Sequence, residues 1–164
     1  DMLSALESRH ASARLLLTVD GKTNPGLVEA ARRRGVVDRV DFLGACEPDR
    51  IRRLSQTATI ALQPSLLESF GLSYYESMAA GLPLVVSDRP FAREACGDAA
   101  LYADGASGAS FAERVGQLLD APSDARDLAE RGIARIETWG WDWARVAARY
   151  LEILEGLDQG PSRI

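Results

Sequence analysis

Five short apolar runs, each joined to the next by a stretch with helical character, restrict this chain to very few folds. The runs are ARLLLTV (Ala13–Val19), RVDFL (Arg39–Leu43), ATIALQ (Ala58–Gln63), LVVS (Leu84–Ser87) and AALYA (Ala99–Ala103). Each reads as a short buried strand. Asn24 at an N-cap position and Pro25 in a first turn start a helix through LVEAARRR that stops at Gly35. Pro48 opens a second helix over DRIRRLSQT, and LSYYESMAA forms a third that ends at Gly81, with Pro83 just beyond. A short helix covers about Phe91–Ala95. After the fifth run only helices are predicted: Ser110–Leu119, Asp124–Glu137 and Trp143–Leu154, the last capped by Asp142. Short buried strands that alternate with helices imply parallel βαβ units. The predicted fold class is α/β, a doubly wound parallel sheet of the Rossmann-like kind.

The 164 residues suffice for one domain with a real core, assigned to residues 1–155, with 156–164 as a frayed tail. One feature departs from the pattern. The chain opens on a helix-like segment, MLSALESRH, with no strand before it. In a doubly wound sheet the first strand is central. The sheet is therefore expected to lack that strand, to expose edges and to self-associate.

Composition removes several function classes. A net charge of -5 argues against broad nucleic-acid binding and against a polybasic membrane surface. No apolar run approaches the roughly 18–20 residues that span a bilayer, so no membrane insertion of this segment is expected. The first residues lack a signal-peptide pattern. Cys46 and Cys96 have no CxxC spacing, so neither a disulfide framework nor a zinc site is expected. A cytoplasmic location is the simplest reading. His10 is the only histidine, which leaves no material for His-based triads or multi-His metal sites. Neither a metal nor a cofactor is expected.

Ligands of doubly wound sheets bind at the carboxyl ends of strands. The loop PSLLESFG follows the third strand and leads into a helix, so it lies where a site is expected. The N–H groups of Phe70, Gly71 and Leu72 would face out of the helix start, and Gly71 would let a ligand approach the backbone. A diphosphate suits such a terminus. Yet Glu68 and Glu76 bracket it, and two carboxylates repel a phosphate. Either they are solvated surface residues or they hold other parts of the same ligand. By residue type alone the first reading prevails; the strand–loop–helix context favours the second. Glu76, one to two turns into the helix, could accept from ribose hydroxyls, as the acidic residue of dinucleotide sites does. Glu68, on the other side, could accept from sugar hydroxyls. The ligand read from these residues is a nucleotide diphospho-sugar.

Other residues read as structural. Tyr74 and Tyr75 are expected to pack rather than stack on a base. His10 is a surface residue of the first helix. Arg32, Arg33 and Arg34 end a helix where cations suit the dipole. Trp139, Trp141 and Trp143 form a packing patch. Asp88 caps the following helix. Arg89 and Arg93 stand near the ligand edge of the sheet, where a structural role outweighs a substrate role.

ESFGLSYYE, continuing into SMAAGLPLVVSD, resembles the Glu, seven residues, Glu motif of the retaining family-4 (group 1) glycosyltransferases, whose fold is glycosyltransferase-B. RVDFLG, the helix after Pro48, QPSLLESFG, GDAALYAD and DWARVAARYLEIL follow in the family's order, so the resemblance covers roughly residues 13–155. It implies the carboxy-terminal, donor-binding half of that fold. Glu68 then matches the first motif Glu, placed against the donor sugar, and Glu76 the second, on the ribose. Phe70, Gly71, Leu72 and Ser73 match the backbone that meets the diphosphate. Cys46 falls where the main chain contacts the base. The resemblance also implies transfer with retention, no metal, and stabilisation of the leaving diphosphate by basic side chains.

The match has gaps. The family's basic pair follows a first strand that precedes this sequence, and the role is not transferred to Lys22. Ser73 stands where a proline is common. The acceptor-binding amino-terminal half is absent. The natural protein is accordingly expected to be longer, and this segment alone inactive. The acceptor would be a polysaccharide, glycolipid or other glycoconjugate, with peripheral contact to the inner membrane face through the missing half. Two alternatives belong to other classes: a nucleotide-sugar 2-epimerase of similar fold, disfavoured by the single histidine, and a non-catalytic split domain that binds nucleotide or a partner.

Overall fold

The computed structural model describes residues 1–139 and 143–158. Five strands alternate with helices, in the order α1 (Met2–Leu6), β1 (Leu15–Leu17), α2 (Pro25–Arg33), β2 (Val40–Phe42), α3 (Pro48–Thr57), β3 (Ala61–Gln63), α4 (Leu72–Ala79), β4 (Leu84–Ser87), α5 (Pro90–Cys96) and β5 (Ala100–Ala103). Helices α6 (Gly108–Asp120), α7 (Pro122–Trp139) and α8 (Trp143–Asp158) complete it. All strands but β4 are shorter at their ends than the apolar runs. Helix α1 stops at Leu6 rather than His10, and α8 runs through Asp158, past the start of the assigned tail. The Asp142 cap and the side chains of Trp139, Trp141 and Trp143 lie outside the described residues.

All observed strand pairs are parallel: β1 with β2, β3 with β4, and β4 with β5. The strands form two sheets, β1-β2 and β3-β4-β5. Crossing over from β1 to β2 on one side and from β3 through β5 on the other is the strand progression of a doubly wound sheet. Among the described residues, β1 pairs only with β2 and β3 only with β4.

Strand β4 is fully buried and sends alternate residues to opposite layers. Leu84 and Val86 pack with Tyr74 and Met78 of α4 and with Ala92, Ala95 and Cys96 of α5. Val85 packs on the other side with Leu6 of α1 and with Phe111, Ala112, Val115 and Leu118 of α6. Helix α7 serves both layers: Leu128 joins the α6 side, while Gly132 lies against Met78. Each buried Leu, Val or Phe contributes roughly 1.5–3 kcal/mol. Helix α1 ties the two sheets together, because Leu6 enters the β4 core and Leu3 packs with Ala31 and Val36 beside β1 and β2.

Two expected caps take other partners. Asn24 occupies the N-cap of α2, but its amide donates to the Asp20 carbonyl at 2.9 Å. Asp88 does not cap α5, whose N-cap is Arg89; it accepts two hydrogen bonds from Arg93, at 2.6 and 2.7 Å. A guanidinium fork outcompetes a single backbone N–H for a carboxylate. His10 is not a plain surface residue: its side chain is mostly buried, with Nε2 3.2 Å from Asp120.

Candidate functional site at the carboxyl end of β3

Helix α4 is short, and its sequence LSYYESMA divides cleanly. Tyr74, Ser77 and Met78, at helical spacing, are buried. Leu72 and Glu76 are exposed on the remaining surface. The Glu76 carboxylate forms no hydrogen bond or ion pair with any described residue. Gly71 is the N-cap, at φ 72° and ψ 46°. That left-handed conformation aims the chain from the loop into the helix and suits glycine best. The first-turn N–H groups of α4, on Leu72 and Ser73, have no preceding intrahelical carbonyl.

Between β3 and α4 the loop carries Glu68, which is half-buried although Leu67 and Ser69 beside it are exposed. Its carboxylate accepts a hydrogen bond from the Ser65 hydroxyl at 2.8 Å. Phe70 packs on Tyr75, with ring centroids 5.5 Å apart and planes tilted by 37°. The loops after β3 and β5 meet the carboxyl end of β4 at Gly105, where a β-carbon would touch both Leu66 and the Ser87 hydroxyl. One continuous loop–helix unit thus places Glu68, Phe70, Gly71, Leu72, Ser73 and Glu76 at one strand end, but Gly71 itself is buried under the Tyr74 ring, so the open approach to its backbone expected from the sequence is not found.

Cys46 stands elsewhere, in the loop after β2 and so on the other sheet. It is half-buried and its thiol donates to the Gly44 carbonyl at 3.4 Å. The same loop is tied to the end of β1 by Gly44 N–H donating to Val19 at 3.2 Å. Among the described residues, no hydrogen bond joins Cys46 to Glu68 or Glu76.

The basic residues beside this edge divide. Arg93 is held by Asp88 and lies 4.4 Å over the Tyr102 ring, whereas Arg89 makes no ion pair among the described residues. Tyr74, read as a packing residue, is 1% exposed. Its hydroxyl is buried without a hydrogen-bond partner, beside Ser65 and Glu68. Sequence reasoning did not single out Ser65, although the S-x-x-E spacing to Glu68 is one at which a hydroxyl and a carboxylate meet. Among the described residues no cluster of His, Cys, Asp and Glu could hold a metal ion, and no helix is long and apolar enough to cross a membrane. Two surface hollows, of about 270 and 320 Å³, lie at α6–α7 and along α2 and β1–β2, and neither is lined by Glu68 or Glu76.

Comparison with known proteins identifies the family. The chain is 32% identical over 174 residues to a D-inositol 3-phosphate glycosyltransferase of Catenulispora acidiphila, an alignment that covers 94% of this chain and 39% of the relative. It is 29% identical to a glycogen synthase of Mycobacterium tuberculosis, covering 96% of this chain and 38% of that protein. The chain therefore spans less than half the length of these relatives. In fold it resembles Anabaena HepE in complex with UDP and glucose, with a TM-score of 0.81, 20% identity, and coverage of 94% of this chain and 44% of that one. The sequence profile of the glycosyl transferases group 1 matches residues 2–135. With its parallel sheet and its Glu-bracketed loop, the chain belongs to the group 1 glycosyl transferase family.

Proposed function

We propose that this chain is the donor-binding half of a retaining glycosyltransferase that moves a sugar from a nucleotide diphospho-sugar to a polysaccharide, glycolipid or other glycoconjugate. One observation carries the reading: in a member of this family, Glu68 and Glu76 flank the start of α4, where Leu72 is exposed, beyond the carboxyl end of a parallel strand. The first turn of α4 meets the diphosphate through backbone N–H groups and the helix dipole. Glu76, exposed and without an ion pair among the described residues, accepts from the ribose hydroxyls. Glu68 faces the transferred sugar, and the loop holding Cys46 faces the base. No metal or cofactor takes part. The UDP and glucose in the HepE structure support this class of ligand.

The coverage of 39% of a curated relative supports an acceptor-binding domain as the second half of the active enzyme. The reaction belongs in the cytoplasm, where nucleotide sugars are made, and the open edges of β1 and β3 give the isolated segment a tendency to self-associate.

Calorimetric titration with UDP, GDP and ADP tests the reading. One nucleotide should bind, and Glu76→Ala should weaken it about tenfold, the size expected of a lost charged hydrogen bond. A folded chain that binds none of the three overturns the proposal.

A further inference from the structure

Glu68 sits on a loop whose neighbours Leu66, Leu67, Ser69 and Phe70 are all exposed, Leu67 at 86%. A glutamate in such a setting would sample many rotamers. Here one of its oxygens is tied to the Ser65 hydroxyl at 2.8 Å. Behind this pair lies Tyr74, whose ring is buried and whose hydroxyl lacks a hydrogen-bond partner. Packing alone does not account for that hydroxyl. Phenylalanine would fill the same space without leaving a buried polar atom unsatisfied.

The chemistry fixes the direction of any bond among the three groups. An ionised Glu68 can only accept. Ser65 must therefore donate its one proton to Glu68, which leaves its lone pairs to accept from Tyr74. Tyr74 keeps its proton to donate: burial first, and then the Glu68 charge, raise its pKa, while Ser65 works the other way. The Tyr74 and Ser65 hydroxyls are neighbours whose geometry falls short of a hydrogen bond in this structure. With Tyr74 donating to Ser65 and Ser65 to Glu68, each bond would polarise the next.

We propose that Ser65, backed by the hydroxyl of Tyr74, is a positioning residue that holds one oxygen of Glu68 so that the other faces the sugar of the donor. This rests on the donor-site reading above and adds to it a cause for the orientation of Glu68. Pre-ordering a flexible carboxylate improves sugar recognition because less freedom is lost on binding.

The test compares two affinities on the full chain, measured by calorimetry with UDP-glucose, GDP-mannose and ADP-glucose and with UDP, GDP and ADP. The ratio of nucleotide-sugar to nucleotide affinity isolates the sugar. Ser65→Ala should lower that ratio about tenfold and Tyr74→Phe about threefold, with nucleotide affinity within about twofold of wild type, the scale of one hydrogen bond to a charged group. Ser65→Thr, which keeps the hydroxyl, should restore the ratio. Circular dichroism establishes that each variant is folded. A ratio unchanged in both Ser65→Ala and Tyr74→Phe overturns the proposal, as does a wild type that gains nothing from the sugar. Equal weakening of nucleotide and nucleotide sugar also overturns it, because Ser65 would then only shape the loop. A folded wild type that binds none of the six probes removes the donor-site reading itself, an outcome distinct from the others.

Discussion

The ring of Tyr74 occupies the space that a β-carbon on Gly71 would need: built there, that carbon would stand 2.5 Å from Cδ2 and nearer still to Cε2. Two demands coincide at Gly71, a φ of 72° and this contact. Gly71→Ala should therefore cost about 2–4 kcal/mol, the sum of left-handed strain and overpacking. In a chain of this size that lowers the melting temperature by roughly 5–15 °C. In a Tyr74→Ala background the same substitution should cost only about 1 kcal/mol, since strain alone remains. Thermal unfolding of the four proteins gives the answer, and equal costs in both backgrounds would refute the contact.

Arg93 holds Asp88 below the ordinary carboxylate range, chiefly through its hydrogen bond and then through its charge, with some opposition from desolvation. The sign follows from linkage. A depressed carboxylate stabilises the fold above its unfolded pKa and loses that contribution as pH falls through the folded one. Asp88→Asn should therefore be less stable than wild type near neutrality, and the difference should shrink below about pH 4. The Asp41–Arg14 pair, with the same cause, should behave alike. Urea unfolding at neutral and acid pH measures the gap, and a gap independent of pH would exclude the linkage.

Cys96 is fully buried among α4, α5 and β4, and burial pushes its thiol up to about 12, against the pull of Arg135. The attacking species toward a disulfide reagent is the thiolate. The folded chain at about pH 8 should then react only through Cys46, the half-buried thiol. Cys46→Ser should leave no fast-reacting thiol until denaturant is added. Rapid labelling of that variant in buffer would contradict the burial of Cys96.

Much of the architecture was legible because it depends on local signals. Pro25, Pro48 and Gly81 mark helix ends by φ alone, and LVVS matches β4 residue for residue because a strand buried on both faces is apolar throughout. That β1 and β3 each pair on one side only, among the described residues, was legible from the helical opening segment. What stayed hidden depends on partners distant in sequence or on competition between them. Asp88 has the composition of a cap, but only the folded α5 brings Arg93 within reach. His10 looks exposed until α6 supplies Asp120. At the candidate site, Glu68, Gly71 and Glu76 stand out by motif. The Ser65 bond and the buried Tyr74 hydroxyl emerge only when the loop is wrapped over α4.

The edges of β1 and β3 bear on the behaviour of the isolated chain. Leu15, Leu16 and Leu17 form a wholly apolar strand, yet Leu16 is 41% exposed and one side of β1 pairs with no described strand. Unpaired N–H and C=O groups beside apolar side chains favour pairing with another molecule. The chain should therefore associate as its concentration rises, with a mean mass above the monomer by light scattering. A charged side chain on an edge strand opposes such pairing. Leu16→Lys, at a half-open position, should shift the distribution toward monomer without abolishing the fold. A wild-type chain that scatters as a monomer at every concentration would show that these edges do not drive association.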